Sequence, residues 1–200
     1  MVARFRYFEH PHQFSTYREE RQRCEVCGRE AMGYAGPFFG IRDIEFVCED
    51  CLSTGRLREH DATANNADVM ALRQQMYDLH PDISEVEREQ IVRERTSELE
   101  QCTPHLVTWQ DFFWPAHCGD YCCFIKEIGQ PELTHLSPDG DGIAFFEAHA
   151  LDIETLDHAR EVWEGIRPDS PTDGRIAYPV GVYLFRCLIC GEHMLLWDCN

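Results

Sequence analysis

Basic residues are scarce in this sequence. Its 200 residues include 18 Lys and Arg against 36 Asp and Glu, which gives a formal net charge of -18, and Lys126 is the one lysine. DNA, RNA and anionic membrane surfaces repel a chain of this charge. We therefore expect a protein that has neither a nucleic-acid partner nor a membrane partner.

Long apolar runs are also absent. No stretch approaches the roughly 20 consecutive apolar residues of a membrane-spanning helix, and the first residues lack the apolar core of a secretion signal. We therefore expect a cytoplasmic protein. Apolar residues still make up 44% of the chain and aromatic residues 12%. This composition can bury one sizeable core or two small ones, and it excludes general disorder.

Signatures of common catalytic sites are missing as well. The sequence contains no phosphate-binding loop, no HExxH zinc motif and no Ser/His/Asp signature. His117 next to Cys118 is the sole visible start of a nucleophile pair, and adjacent residues rarely face each other productively. We therefore expect that the protein is not an enzyme, with a thiol- or zinc-dependent enzyme as the alternative.

Cysteine, by contrast, is abundant. Eleven cysteines are too many for a reducing compartment unless something other than disulfides holds them. The first four follow the CxxC-to-CxxC pattern of a structural zinc site, in which two tight turns complete a tetrahedron of thiolates. A redox-active dithiol and two unrelated buried pairs are the alternatives. The predicted ligands are Cys24, Cys27, Cys48 and Cys51.

The sequence around these cysteines predicts the local fold. Residues 32–47 are rich in aromatic and β-branched residues and indicate a β-hairpin. Residues 52–60 indicate a short helix, which would place the second thiolate pair at its positive N-terminal end. The order of turn, hairpin, turn and helix resembles a treble-clef or zinc-ribbon module.

A second, looser set of cysteines predicts another zinc site. The motif at 187–190 is again CxxC followed by glycine, and the cluster at 117–123 can supply the two further ligands. The expected ligands are Cys118, Cys122, Cys187 and Cys190, with His117 or Cys123 as substitutes. The cysteines left over, Cys102, Cys123 and Cys199, are expected to be buried apolar thiols.

Two helices are predicted between the cysteine sets. Residues 67–79 carry apolar side chains at helical spacing, after Asn65 and Asn66 as capping residues. Ser84 and Glu87 form a capping box for a second helix that reaches about residue 101. Its face alternates Glu and Arg, which indicates a largely solvated surface helix.

These elements indicate an α+β fold. We expect a zinc-ribbon-like N-terminal module that packs on an α+β C-terminal part with the second four-cysteine zinc site. The expected segments are an N-terminal arm and zinc module at 1–60, a helical segment at 61–101 and the α+β part at 102–200. We expect them to form one compact unit.

Acidic residues are concentrated in one segment. Residues 127–164 contain ten Asp or Glu and one basic residue, Arg160. A solvated face is one interpretation. The other is a surface that binds a basic protein partner, because clustered carboxylates steer and select cationic partners. Nucleases are such partners, since they carry basic clefts for phosphate.

The motifs in order are similar to those of the CbrC family of bacterial proteins. They are CEVCG, GPFFG, CEDCL, TPHLVTWQ, WPAHCGDYCCFI and YLFRCLICG, and they span nearly the whole chain. The resemblance implies the same eight cysteine ligands and two zinc ions. It also implies a link to tolerance of a DNA-cleaving colicin, which the name-giving member has. This chain departs from the family in a charged insertion at about 82–101.

The sequence therefore favours an acidic zinc-binding protein that acts by protein–protein interaction. The leading hypothesis is a toxin-tolerance or immunity protein that binds and neutralises an antibacterial nuclease. The alternatives are a zinc-ribbon adaptor in transcription or stress response and, third, a thiol- or zinc-dependent enzyme.

Overall fold

The computed structural model describes residues 5–169 and 178–199, and it has the expected α+β composition. None of its helices in these ranges is long and apolar enough to cross a membrane. A 3-10 helix spans Arg56–His60. The α-helices are α1 Pro11–Phe14, α2 Glu49–Ser53, α3 Val69–Leu79, α4 Glu85–Cys102, α5 Gln130–Leu136, α6 Gly142–His149 and α7 Leu156–Trp163. The strands are β1 Tyr17–Arg23, β2 Glu30–Ala35, β3 Phe46–Cys48, β4 Ala116–His117, β5 Asp120–Tyr121, β6 Cys123–Ile128, β7 Val180–Arg186 and β8 His193–Cys199.

The chain divides into two compact units. The first consists of Met1–Val107, Phe112–Cys123 and Cys187–Cys190. The second consists of Thr108–Asp111, Phe124–Arg186 and Gly191–Asn200. The segments expected at 1–60 and 61–101 thus lie together in the first unit, whereas the segment expected at 102–200 is divided between both.

The first unit begins with a three-stranded antiparallel sheet in the order β1-β2-β3. Gly33 of β2 lies so close to β3 that a Cβ there would overlap the backbone of Val47. Strand β3 ends at Cys48, and α2 starts at the next residue. The order of turn, hairpin, turn and helix that the sequence predicts is confirmed. The helix begins three residues before the expected residue 52.

Helices α3 and α4 follow in the first unit. Asp68, not Asn65 or Asn66, caps α3, since its side chain accepts a hydrogen bond from the Ala71 N–H at 2.9 Å. Asn65 is buried, and its amide donates to the Thr103 and Pro104 carbonyls at 3.0 and 3.1 Å. A buried amide needs such partners, so its prediction as a cap was wrong.

The core of the first unit is rich in aromatic residues. Tyr7 and Tyr121 meet edge to face with ring centroids 5.9 Å apart, and the Tyr7 hydroxyl donates to buried Asp120 at 2.9 Å. Pairing of this kind satisfies polar groups that are removed from water. The largest fully buried side chains of this unit are Trp114, Tyr7, Tyr34, Tyr121, Phe8, Leu52, Leu57, Leu72 and Met76.

The second unit is built on the sheet β6-β7-β8, in which β7 and β8 run antiparallel from Val180↔Cys199 to Arg186↔His193. Helices α5, α6 and α7 provide the rest of its core. Asp198 is buried and accepts the N–H groups of Trp109 and Gln110 at 2.7 and 3.1 Å. The core comprises Ile128, Leu133, Phe145, Phe146, Ala159, Val162, Ile166, Val180, Val182, Leu184 and Leu195.

The capping box of α4 allows a direct test of how this helix begins. The Ser84 hydroxyl accepts the Glu87 N–H at 3.2 Å, and the Glu87 carboxylate accepts the Ser84 N–H at 3.0 Å. We expect Ser84→Ala to lower the free energy of unfolding by about 1 kcal/mol. Urea denaturation of the full chain measures this loss.

Glu87→Gln is the matched control, because glutamine also completes the box. The Ser84 N–H lowers the pKa of Glu87 below its ordinary value of 4.5. The stabilisation from this carboxylate is therefore complete above pH 4.5 and is lost as the pH falls through the lowered value. The difference in the free energy of unfolding between the native chain and Glu87→Gln should shrink as the pH falls from 4.5 through that lowered pKa. A pH-independent difference would contradict this assignment.

Candidate metal centres

The first cluster is formed by two tight turns of the first unit. Cys24 and Cys27 precede β2, and the Gly28 N–H donates to the Cys24 carbonyl at 2.7 Å. Gly28 has φ +74°, in the left-handed region that glycine adopts at little cost. Cys48 ends β3, and Cys51 lies in α2. The hairpin β2–β3 thus sets the distance between the two turns.

The four sulfurs of this cluster lie close together. Their Sγ atoms are all within 4.8 Å of one another, and Cys27 Sγ lies 3.8 Å from Cys48 Sγ. An ion about 2.3 Å from each sulfur of a regular tetrahedron would set the sulfurs about 3.8 Å apart. Three of the four residues, Cys24, Cys48 and Cys51, are at most 2% exposed. This donor set fits a structural zinc site.

Two arginines donate hydrogen bonds to sulfurs of the first cluster. Arg29 Nε donates to Cys27 Sγ at 3.4 Å, and Arg56 Nη1 donates to Cys51 Sγ at 3.4 Å. The Arg29 hydrogen bond lowers the pKa of Cys27 to about 6, whereas burial raises the pKa of Cys51. Four thiolates around a divalent ion would carry a net charge of about -2. The hydrogen bonds from Arg29 and Arg56, which are also paired with Asp50 and Glu59, would help to stabilise that charge.

The second cluster starts from the hairpin of β4 and β5. His117 pairs with Asp120 across a two-residue turn, in which Cys118 has φ +55° and Gly119 φ +78°. Positive φ at both central residues is typical of a type I′ hairpin turn. Gln75 of α3 holds this hairpin, since its amide donates to the Ala116 carbonyl at 2.8 Å and accepts the Gly119 N–H at 2.9 Å.

The turn brings one imidazole and three thiols together. His117 Nδ1 lies 3.3 Å from Cys118 Sγ and 3.4 Å from Cys190 Sγ. Tetrahedral zinc with ordinary bond lengths sets nitrogen and sulfur ligands about 3.5 Å apart. The ligand atoms of the whole group lie within 4.8 Å of one another. The group consists of His117, Cys118, Cys187 and Cys190.

The CxxC turn that contributes the last two thiols is held by its own backbone. Cys187 Sγ accepts the N–H groups of Ile189 and Cys190 at 3.4 and 3.5 Å. Gly191 has φ +80°, the counterpart of Gly28 in the first cluster. Cys187 is buried, and Cys190 is exposed. Such N–H···S bonds orient a thiolate toward its metal.

At one position the geometry differs from the expected ligand set. Cys122 does not belong to the second group, and His117, the substitute, occupies its place. The Cys122 N–H donates to the Pro115 carbonyl at 2.9 Å, and its carbonyl accepts the Trp114 indole N–H at 2.8 Å. These bonds hold Cys122 in the core, where it is 0% exposed and burial raises its pKa.

The sequence contains a turn signal that favours His117 over Cys122 as the ligand. A Cys-Gly pair that forms a two-residue hairpin turn places the residue before it, His117, beside the turn. The prediction of Cys122 instead pairs Cys118 with Cys122 as a loose CxxxC motif and does not consider the turn. The structure also brings the His117 and Cys118 side chains together, which adjacency in sequence had argued against.

The remaining thiols differ among themselves. All eleven cysteines lie in the described ranges and are free of disulfides. Cys123 is buried as expected, Cys102 is half-buried, and Cys199 is exposed. Cys199 lies at the end of β8, where the Gln110 amide donates to its carbonyl at 2.8 Å. Its prediction as a buried thiol was wrong.

Comparison with known proteins places the chain among relatives of similar length. The family model described as an uncharacterised protein family, UPF0167, matches residues 2–199. A UPF0167 protein of Mycobacterium bovis and one of Mycobacterium tuberculosis are each 26% identical to the chain over 208 residues. Each alignment covers 98% of this chain and 93% of the relative. No solved structure matches the chain.

Metal content can decide between His117 and Cys122 as the fourth ligand. We expect His117→Ala to lose about one of two zinc equivalents, because three ligands hold a structural ion poorly. Cys122→Ala should keep both. Elemental analysis of the purified full chains measures this difference. The reverse result, with zinc lost in Cys122→Ala and kept in His117→Ala, would restore the four-cysteine set.

The role of Arg29 can be tested through the rate of metal loss. We expect Arg29→Gln to speed chelator-driven release of zinc from the first cluster by about 10-fold, since ligand partners of this kind affect metal affinity by about 10- to 100-fold. Arg21→Gln is the control, because the Arg21 side chain donates its hydrogen bond to the Glu30 carbonyl and not to a thiol. Equal release rates for both variants would show that the Arg29 hydrogen bond to Cys27 does not slow the release of zinc.

Proposed function

The chain belongs to the UPF0167 family, and from this premise we propose that it is a two-zinc immunity protein of the CbrC type. In this proposal it binds an antibacterial nuclease and covers the basic DNA-binding cleft of the toxin with carboxylates. The zinc ions are structural, and the protein acts by binding and has no catalytic role of its own. The acidic surface of the second unit is the observation that carries the proposal.

Zinc is the metal that the two donor sets fit best. Tetrahedral sites made of four cysteines, or of three cysteines and one histidine, are typical of structural zinc. The CxxC turns, the left-handed glycines after them and the N–H···S bonds are the features expected around such ions. Occupancy of both clusters would account for seven of the eleven cysteines without any disulfide.

The acidic residues of the segment 127–164 are mostly exposed. One of the ten, Glu127, is buried, and Glu132 and Glu147 are half-buried. A surface so rich in carboxylates attracts basic partners over distances of about a Debye length and repels nucleic acid. The exposed members are Asp139, Asp141, Asp152, Glu154, Asp157, Glu161 and Glu164.

Helix α7 arranges part of this charge as a stripe. Asp157, Glu161 and Glu164 follow at spacings of four and three residues, which places them on one face of the helix and its last turn. The opposite face packs into the core through Ala159 and Val162. The buried face fixes the helix, and the exposed stripe is therefore presented in a rigid arrangement, as a binding surface for a basic cleft requires.

The immunity proposal is tested by mixing the protein with purified nuclease domains of the colicin type. We expect a stable complex and loss of DNA cleavage. The triple variant Asp157→Asn, Glu161→Gln, Glu164→Gln should weaken the complex by about 10-fold, equivalent to about 1.4 kcal/mol, mainly through slower association. Titration calorimetry and stopped-flow mixing measure the two effects.

A matched triple variant removes the same charge elsewhere. Glu19→Gln, Glu20→Gln and Glu30→Gln change exposed residues of β1 and β2, and they should leave affinity within about twofold of the native value. Equal weakening by both triples would indicate a net-charge effect without a defined face. Absence of any complex and of protection in cells would refute the immunity role, and a stable complex with RNA polymerase instead would support the adaptor.

A further inference from the structure

We propose that the second cluster is a peroxide-sensitive zinc site, in which Cys190 is the residue that is oxidised. This inference rests on the proposed zinc occupancy of that cluster. The ligand class is a small hydroperoxide, and the product is a disulfide within the cluster together with a released zinc ion. The first cluster, in the same unit, would keep its ion under the same conditions.

The two clusters differ in how far solvent reaches their sulfurs. In the first, Cys24 and Cys51 are 0% exposed and Cys48 2%, and half-buried Cys27 accepts a hydrogen bond from Arg29. In the second, Cys190 is exposed. A hydroperoxide must reach a sulfur directly to react with it, and oxidation of cysteine follows exposure and thiolate character. The second cluster therefore meets the first requirement for reaction.

The position of Cys190 explains why it is exposed. It ends the CxxC turn, whose two central residues, Leu188 and Ile189, are themselves 39% and 60% exposed. Cys187 at the other end of the turn is buried and accepts two backbone N–H groups, which lowers the reactivity of its sulfur. Within this turn, Cys190 is thus the sulfur that is accessible to attack.

Metal binding keeps such a cysteine as a thiolate, and the thiolate is the nucleophile. In the first step the Cys190 sulfur attacks one peroxide oxygen, the O–O bond breaks, hydroxide leaves and a sulfenic acid forms. In the second, another thiolate of the cluster attacks that sulfur, the S–O bond breaks and a second hydroxide leaves. The two sulfurs lose two electrons, and the peroxide accepts both.

The cluster supplies the second thiolate. Cys118 Sγ and Cys187 Sγ both lie within 4.8 Å of Cys190 Sγ, close enough for a disulfide after a small movement. Two of the four ligands are then consumed. One thiolate and His117 remain, and two ligands do not hold a structural zinc ion. Reduction of the disulfide regenerates two thiolates and so restores the set of three, and zinc can bind again.

The test uses the full chain after elemental analysis has shown two zinc equivalents. Hydrogen peroxide is added in steps with a chromogenic zinc chelator present, and disulfides are mapped by mass spectrometry. We expect one zinc equivalent to be released first, with a disulfide that joins Cys190 to Cys118 or Cys187. Dithiothreitol and added zinc should then restore the original metal content.

Two variants distinguish this site from other thiols. Cys190→His keeps a zinc ligand but removes the reactive sulfur, so peroxide-driven release should slow by at least tenfold. Cys199→Ser removes an exposed thiol outside both clusters and should change nothing. Native-rate release from Cys190→His, earlier release from the first cluster, or a first disulfide without Cys190 would overturn the inference.

The outcomes also separate this inference from the proposed function. A chain that contains two zinc ions but resists peroxide contradicts the peroxide-sensitive site and leaves the two-zinc immunity protein intact. A freshly purified chain without bound zinc contradicts the occupancy on which both depend. If Cys190→His does not retain the second ion, the disulfide map of the native chain decides the question alone.

Discussion

The first unit is organised around the close approach of four cysteine sulfurs, whose charge as thiolates a bound cation would balance. Four thiolates within 4.8 Å of one another would repel strongly without a positive charge between them, because burial of Cys24, Cys48 and Cys51 removes the water that would screen them. Ion binding and folding are coupled in such sites. The β2–β3 hairpin and α2 hold the turns, and Arg29 and Arg56 add hydrogen bonds to two of the sulfurs.

The second cluster also brings ligand atoms close together, but from residues that are farther apart in the sequence. His117 and Cys187 are 70 residues apart in the chain, and both belong to the first unit. An ion held by both turns would link these distant segments much as a disulfide does, by restricting the unfolded chain. Unlike a disulfide, it would depend on the availability of metal and on the reduced state of its sulfurs.

Sequence patterns identify features that depend on local spacing. The CxxC pairs, the hairpin between them and the Ser84–Glu87 capping box each depend on a few neighbouring residues, and each occurs where it was expected. Spacing alone left the choice between Cys122 and His117 open, because that choice depends on a left-handed Cys118–Gly119 turn and on Gln75 from a remote helix. Asn65 failed as a cap for a similar reason, since the carbonyls that it contacts belong to Thr103 and Pro104, which follow α4.

The acidic segment and the candidate metal ligands belong to different parts of the chain. Both clusters belong to the first unit, whereas the acidic segment belongs to the second. Two zinc ions would not neutralise seven thiolates, so metal loading would leave the chain acidic. Substitutions on α7 do not alter a metal ligand, and substitutions at the clusters do not alter a carboxylate of the acidic segment. Metal binding and the proposed partner binding can therefore be varied independently, and a loss of binding after a change on α7 would not have its cause in a metal ligand.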